Sequence, residues 1–279
     1  MVILDRKEFQ DLWNALPEFL LRRRLERAYK LIKPVIKKQL LFLDKYEKSK
    51  NETKYVGHIY VFNTVKDFWD KANLTFLMGQ KKLMRNFTFY PVRTCMENLM
   101  RFMYFCKKTQ IQRDIIASKE LLRIYARLYK RELLDGAPSA EYIKAYKSIA
   151  DGLDVPSIEY VNDKDLDPFP GMALLCNLSG MKDPKKLYFL YQCLCEDAHG
   201  KVIATVMRYQ SEKFEPYRRA LMLLVMFCKE MLILVDKHFL GARLRDQVEA
   251  CIKKVDTTVK RSKSFYEQSY VFIKRIIKK

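Results

Sequence analysis

A chain of 279 residues with 49% hydrophobic and 31% charged positions, but only 8 glycines and 9 prolines, is long enough to bury a sizeable core and too apolar to remain disordered. Its 53 Lys and Arg against 33 Asp and Glu leave a formal charge of +20, a field that attracts polyanions. Lys-rich solvated helix faces produce the same composition without any ligand, so charge alone does not separate the two.

The first residues place Asp5, Arg6, Lys7 and Glu8 after only four others and lack the apolar core of a signal peptide. Residues 5 to 48 are dense in helix formers, with Leu12, Leu16, Phe19, Leu20, Leu25, Tyr29, Ile32, Val35, Ile36, Leu40 and Leu43 at helical spacing. Pro17 suits the first turn of a helix, and Pro34 is expected to kink one. Arg22, Arg23, Arg24 and Arg27, continued by Lys30, Lys33, Lys37 and Lys38, make the solvated side of this segment strongly basic.

Ser49 to Gly57 reads as a loop, and His58 to Met78 as a second helix with Phe62, Val65, Phe68, Trp69, Leu74 and Leu77 as its apolar set and Gly79 as its C-cap. A third helix starts between Asn86 and Pro91 and runs to about Lys107. It carries Tyr90, Arg93, Glu97, Met100 and Tyr104 along one stripe, so a charge pair shares a face with apolar neighbours. Ile111 to Leu134 is the next amphipathic helix, ended by Asp135, Gly136, Ala137 and Pro138.

From Glu132 to Asp167 the balance reverses to nine acids against three bases. Residues 151–171, with Pro156, Pro168 and Pro170, read as a long irregular connection or a mobile lid. Alternating Asp163, Asp165 and Asp167 look like the start of a calcium loop but lack its glycine and terminal glutamate, so no calcium site is assigned. Met172 to Leu178 is a short apolar helix, and Lys185 to Tyr209 a longer one whose Tyr188, Tyr191, Cys195, His199 and Val202 share a stripe. Glu215 to Phe239 is the most hydrophobic helix, but Lys229 and Glu230 interrupt it short of the ~20 residues that span a bilayer. Ala242 to Lys279 forms one or two terminal helices, with nine bases against two acids from Lys253 onward.

With no repeat and no alternating strand pattern, the expected fold is all-α: one domain over 1–279, a multi-helix bundle with amphipathic N- and C-terminal helices. It divides into a basic arm at 1–50, a core bundle at 58–240 containing the irregular connection, and basic terminal helices at 242–279. Seven scattered cysteines, an odd number, fit a reduced cytoplasmic protein. Cys193, Cys195 and His199 are too few and too closely set to indicate a metal, and no glycine-rich phosphate loop or nucleophile elbow is present, so neither metal nor cofactor is expected.

Two constellations remain. The first joins Arg93 and Glu97 to Cys195, Glu196, Asp197 and His199. The pattern of Arg93 and Glu97, followed by Tyr191, Leu194, Cys195, His199 and Gly200, resembles a family of uncharacterised all-helical bacterial proteins related in architecture to HEPN-like domains. That resemblance implies that the two helices pack together. Arg93, Glu97, Glu196 and His199 would then form an inter-helix site for phosphate binding or acid and base chemistry, in a prokaryotic defence or mobile-element setting. A buried network that fixes helix register is the competing reading. HEPN-like ribonucleases pair an Arg with a His four to six residues further along one helix, and none of His58, His199 or His238 has such an Arg before it.

The second constellation is the terminal basic material. Arg22, Arg23, Arg24 and Arg27 at one end, with Lys260, Arg261, Lys274 and Arg275 at the other, are candidate contacts to RNA, DNA or an acidic protein. Phe265, Tyr266, Tyr270 and Phe272 interleave the second group, as stacking platforms or as the inner face of a docking helix that mediates homo-oligomer assembly. Three function classes follow: a nucleic-acid or acidic-partner binder, a phosphodiester-cleaving enzyme, or an assembly subunit.

Overall fold

The computed structural model describes residues 18–48, 56–136, 139–180, 183–198 and 216–259. Among them every regular element is helical, as the periodicity predicts. The helices are α1 (Glu18–Lys48), α2 (Val56–Gln80), a 3₁₀ turn (Lys82–Phe87), α3 (Phe89–Cys106), α4 (Gln110–Leu134), α5 (Ala140–Ala150), α6 (Met172–Leu178), α7 (Pro184–Ala198), α8 (Pro216–His238) and α9 (245–259).

Helices α1, α2, α3 and α8 pack as a four-helix bundle, with α6 and α7 laid on α3 and α4 on α2. α1 buries one stripe, Leu21, Leu25, Tyr29, Ile32, Ile36 and Leu43, and runs through Pro34 without interruption. Tyr29 stacks between Trp69 and Phe76 and donates to Asn73 Oδ1 at 3.0 Å, tying α1 to α2. Gln39, buried in the same stripe, donates to the Leu232 carbonyl at 2.8 Å and ties α1 to α8. α9 closes the bundle with Val248, Cys251 and Val255 inward and its Lys229 to Asp256 ion pair to α8, while Lys38 donates to Gln247 across α1 and α9.

Three local expectations are corrected. Gly79 is not a C-cap: it lies inside α2, packed against Tyr217, where any β-carbon would collide with the ring. Leu74 and Leu77 are exposed, because the face of α2 that carries Val61, Val65, Phe68 and Ala72 already spans its packing surface. Tyr90 is exposed while Met100 is fully buried, so the stripe on α3 that stays at the edge of the core is Arg93, Glu97, Arg101 and Tyr104.

Helix α5 was hidden by the acidic composition of its surroundings. It is capped by Ser139, whose hydroxyl accepts from the Glu141 amide at 3.2 Å. With the far half of α4 and residues 151–168 it builds a second small core of Leu122, Ala126, Tyr129, Tyr146, Ile158, Val161 and Leu166. Residues 151–171 contain turns and no helix, but Ile158, Val161, Leu166 and Phe169 are buried and the Tyr146 hydroxyl donates to the Pro156 carbonyl at 2.7 Å. A segment anchored in this way is packed structure rather than a free lid.

Candidate functional site

Pro91 sits in the first turn of α3, where its missing N–H costs nothing, and helical spacing then sets Arg93 and Glu97 one turn apart. Arg93 Nε donates to Glu97 Oε1 at 2.9 Å, and both side chains are about four-fifths covered. α7 packs on α3 and brings Tyr191 to the same carboxylate, its hydroxyl donating to Glu97 Oε1 at 3.0 Å. The Arg93 guanidinium lies 5.9 Å from the centre of the Tyr191 ring, and Tyr188 stacks beside it at 6.3 Å.

The electrostatics follow from this packing. Burial opposes the charge on Arg93, yet the hydrogen bond and charge of Glu97 outweigh it and hold the guanidinium above its ordinary value. Burial, then the neighbouring Cys195 thiol and the Glu97 carboxylate, push the Tyr191 phenol well above its usual range. Tyr191 is therefore a neutral donor at physiological pH, and the trio is an ion pair clamped by a phenol. Within the described residues these groups form one hydrogen-bonded network that joins α3 to α7.

Of the predicted site residues, Arg93 and Glu97 meet Tyr191 and Cys195. Glu196 lies on α7 with its side chain outside the described residues, and His199 lies outside them altogether. Cys193 is buried while Cys195 is half-buried. Two residues apart on a helix, they point about 200° away from each other, which keeps them from one metal. No group of three metal-ligating side chains occurs among the described residues.

The basic residues sort by face. Arg23 and Arg27 are exposed on α1, and Lys30, Lys37 and Lys38 continue the same outward ridge. Arg22 turns instead to Glu26 at 3.8 Å, and Arg24 is half-buried. Lys260, Arg261, Lys274 and Arg275 lie outside the described residues.

A second polar cluster escaped sequence reasoning because its partners are far apart along the chain. Arg123 reaches Glu120 at 3.1 Å and Asp167 at 3.6 Å, while Arg127 pairs with Asp163 at 2.7 Å. The three alternating aspartates thus serve the fold: Asp163 and Asp167 face arginines, and Asp165 accepts from the Asn162 amide at 2.8 Å. Arg101 stacks on Phe169 at 5.3 Å next to this cluster. No family model matches this chain, and no curated protein or solved structure is significantly similar to it.

Proposed function

We propose that this chain is a nucleic-acid-binding helical protein that grips the phosphate backbone with the outer ridge of α1. One observation carries the reading: Arg23, Arg27, Lys30, Lys37 and Lys38 are all exposed on that helix, and the single acid among residues 20–43, Glu26, is turned to Arg22 and Gln80. At 1.5 Å per residue the ridge from Arg23 to Lys37 is about 21 Å long, enough to follow several successive phosphates. Its other exposed positions between residues 23 and 41, Leu31, Pro34 and Leu41, offer no hydrogen-bonding groups for base edges, so binding is expected to be indifferent to sequence. The HEPN-like resemblance adds a prokaryotic defence or mobile-element context to this proposal. The Arg93, Glu97 and Tyr191 network is read as a clamp between helices rather than as a reaction centre, since each described group in it already has a partner.

The test is fluorescence anisotropy with labelled single-stranded and duplex oligonucleotides at rising salt, comparing the native chain with R23Q/R27Q/K30Q/K37Q. Binding that weakens steeply with salt, and a variant whose slope is shallower by about 3, are expected. Absence of binding at low salt, or an unchanged slope in the variant, would overturn the reading. Competition by polyglutamate equal to that by RNA would favour an acidic protein partner instead.

A further inference from the structure

The end of the bundle where α2 passes into α3 has a composition unlike the rest of the surface. From Lys71 to Met96 there are five bases and not one acid in 26 residues. The same stretch contains the most exposed apolar side chains of that end: Leu83 is 90% exposed, Phe87 62% and Tyr90 60%, with Met84 beside them. They sit on the 3₁₀ turn and the first turn of α3, within eight residues of one another, bracketed by exposed Lys81.

Tertiary packing gathers further positive charge at this end. Gln80 donates to Glu26 Oε1 and to the Tyr217 hydroxyl, both at 3.3 Å, which places the start of α1 and the start of α8 next to the end of α2. The described spans of three helices, α1, α3 and α8, therefore all start at this end. Exposed Arg23 belongs to the same end, with partly covered Arg22, Arg219 and Arg85, the last donating to the Gly79 carbonyl at 3.0 Å, whereas Arg218 is buried. Exposed aliphatic and aromatic side chains surrounded by basic charge, with Glu26 held by Arg22 and Gln80, form an amphipathic tip.

We propose that this tip docks on the surface of an anionic phospholipid bilayer. Leu83, Met84, Phe87 and Tyr90 enter the boundary between headgroups and acyl chains, while exposed Lys81 and Arg23, with partly exposed Arg85 and Arg219, meet the lipid phosphates. Charge and shape select this occupant over the others. A second copy would bring an identical positive end against the first. A helical partner needs a groove, whereas Leu83 stands clear of its neighbours. Leu83 and Met84 have nothing to stack on or bond to in a nucleic acid. A bilayer edge accepts a protruding apolar side chain and complements the basic rim at the same time. No described helix is long and apolar enough to cross a membrane, so the contact is interfacial.

The experiment is co-sedimentation of the full chain with phosphatidylcholine vesicles, with and without phosphatidylserine, alongside L83S/F87S and K81E. Emission of an L83W variant is read in the same vesicles. Both serine sites are solvent-facing, so the core is untouched; circular dichroism checks the fold, and oligonucleotide affinity reports on the α1 ridge separately. Pelleting only with the anionic vesicles is expected, weakened at least about tenfold by L83S/F87S and also weakened by K81E. The L83W emission is expected to shift to the blue, and oligonucleotide affinity to stay unchanged in L83S/F87S. No pelleting at low salt would overturn the proposal. So would pelleting that survives L83S/F87S without a blue shift in L83W, since the contact would then be purely electrostatic. A blue shift produced by oligonucleotide alone, or by self-association without lipid that L83S/F87S abolishes, would also overturn it.

Discussion

A β-carbon at position 79 would sit 1.8 Å from the Tyr217 ring, and that ring is itself fully buried and fixed by Gln80. Gly79 thus lets α2 and α8 approach more closely than any larger residue allows. Gly79→Ala is expected to destabilise the chain by about 2 kcal/mol in urea unfolding, the overpacking cost exceeding the gain in helix propensity. A neutral or stabilising result would mean that the Tyr217 ring can move away. Of this position the sequence shows only a glycine near the end of a periodic segment, and a C-cap is the ordinary meaning of that pattern. The contact partner lies 138 residues further on, which no local pattern encodes.

Between elements, the join of α3 to α7 adds to its apolar packing one carboxylate oxygen shared by Arg93 and Tyr191. Tyr191→Phe removes one donor and is expected to cost about 1 kcal/mol. Glu97→Ala is expected to cost about twice that, because it leaves the Arg93 charge largely covered with its carboxylate gone. Equal losses in the two variants by thermal or urea unfolding would show that Arg93 does not depend on Glu97. The pairing of Arg93 with Glu97 was legible, since four residues apart on a helix they must meet. Tyr191 was legible only as a member of an apolar stripe, and its hydroxyl bond was not, because helical spacing gives direction without saying which neighbour stands opposite.

The small core of α4, α5 and residues 151–168 depends on Arg127 and Asp163 in a different way. The Arg127 hydrogen bond holds the Asp163 carboxyl below its ordinary value of 3.8. The unfolded chain therefore takes up this proton more readily than the folded one. The stabilisation is present above about pH 3.8 and is lost as pH falls through the folded value. Asp163→Asn should flatten this part of the acid dependence, as measured by melting temperature from neutral pH down to about pH 3. Identical acid slopes in the native and D163N chains would remove the pair from the stability of this unit. Both partners are half-exposed, so the effect is expected to be modest.

Across the described residues of the molecule, charge on α1 is sorted by face. Of the nine acids from Glu132 to Asp167, Asp163 and Asp167 are partnered by arginines of α4. The outer ridge of α1 keeps its positive charge, which is why the salt slope of nucleic-acid binding should fall with each neutralised ridge residue by about 0.7 to 0.9. Neutralising Arg22 and Arg24 instead should move that slope less, because Arg22 faces Glu26 and Arg24 is half-covered. The four arginines are near-neighbours in sequence and chemically alike, and only the direction in which each leaves the helix separates them.

The all-helical class was written in the amino-acid pattern, because apolar spacing near 3.6 and scarce turn formers leave no other way to bury this much surface. So were the positions of most helices, the pairing of Arg93 with Glu97 and the excess of positive charge. Where that charge is displayed, which aspartates are consumed by arginines, and that Leu83, Phe87 and Tyr90 remain outside the core were settled only by the packing of distant segments. Periodicity reports the strongest apolar face of each helix, a local property. Exposure depends on what the rest of the chain brings to the other faces. At the turn between α2 and α3 the described residues bring positive charge and leave Leu83, Phe87 and Tyr90 exposed.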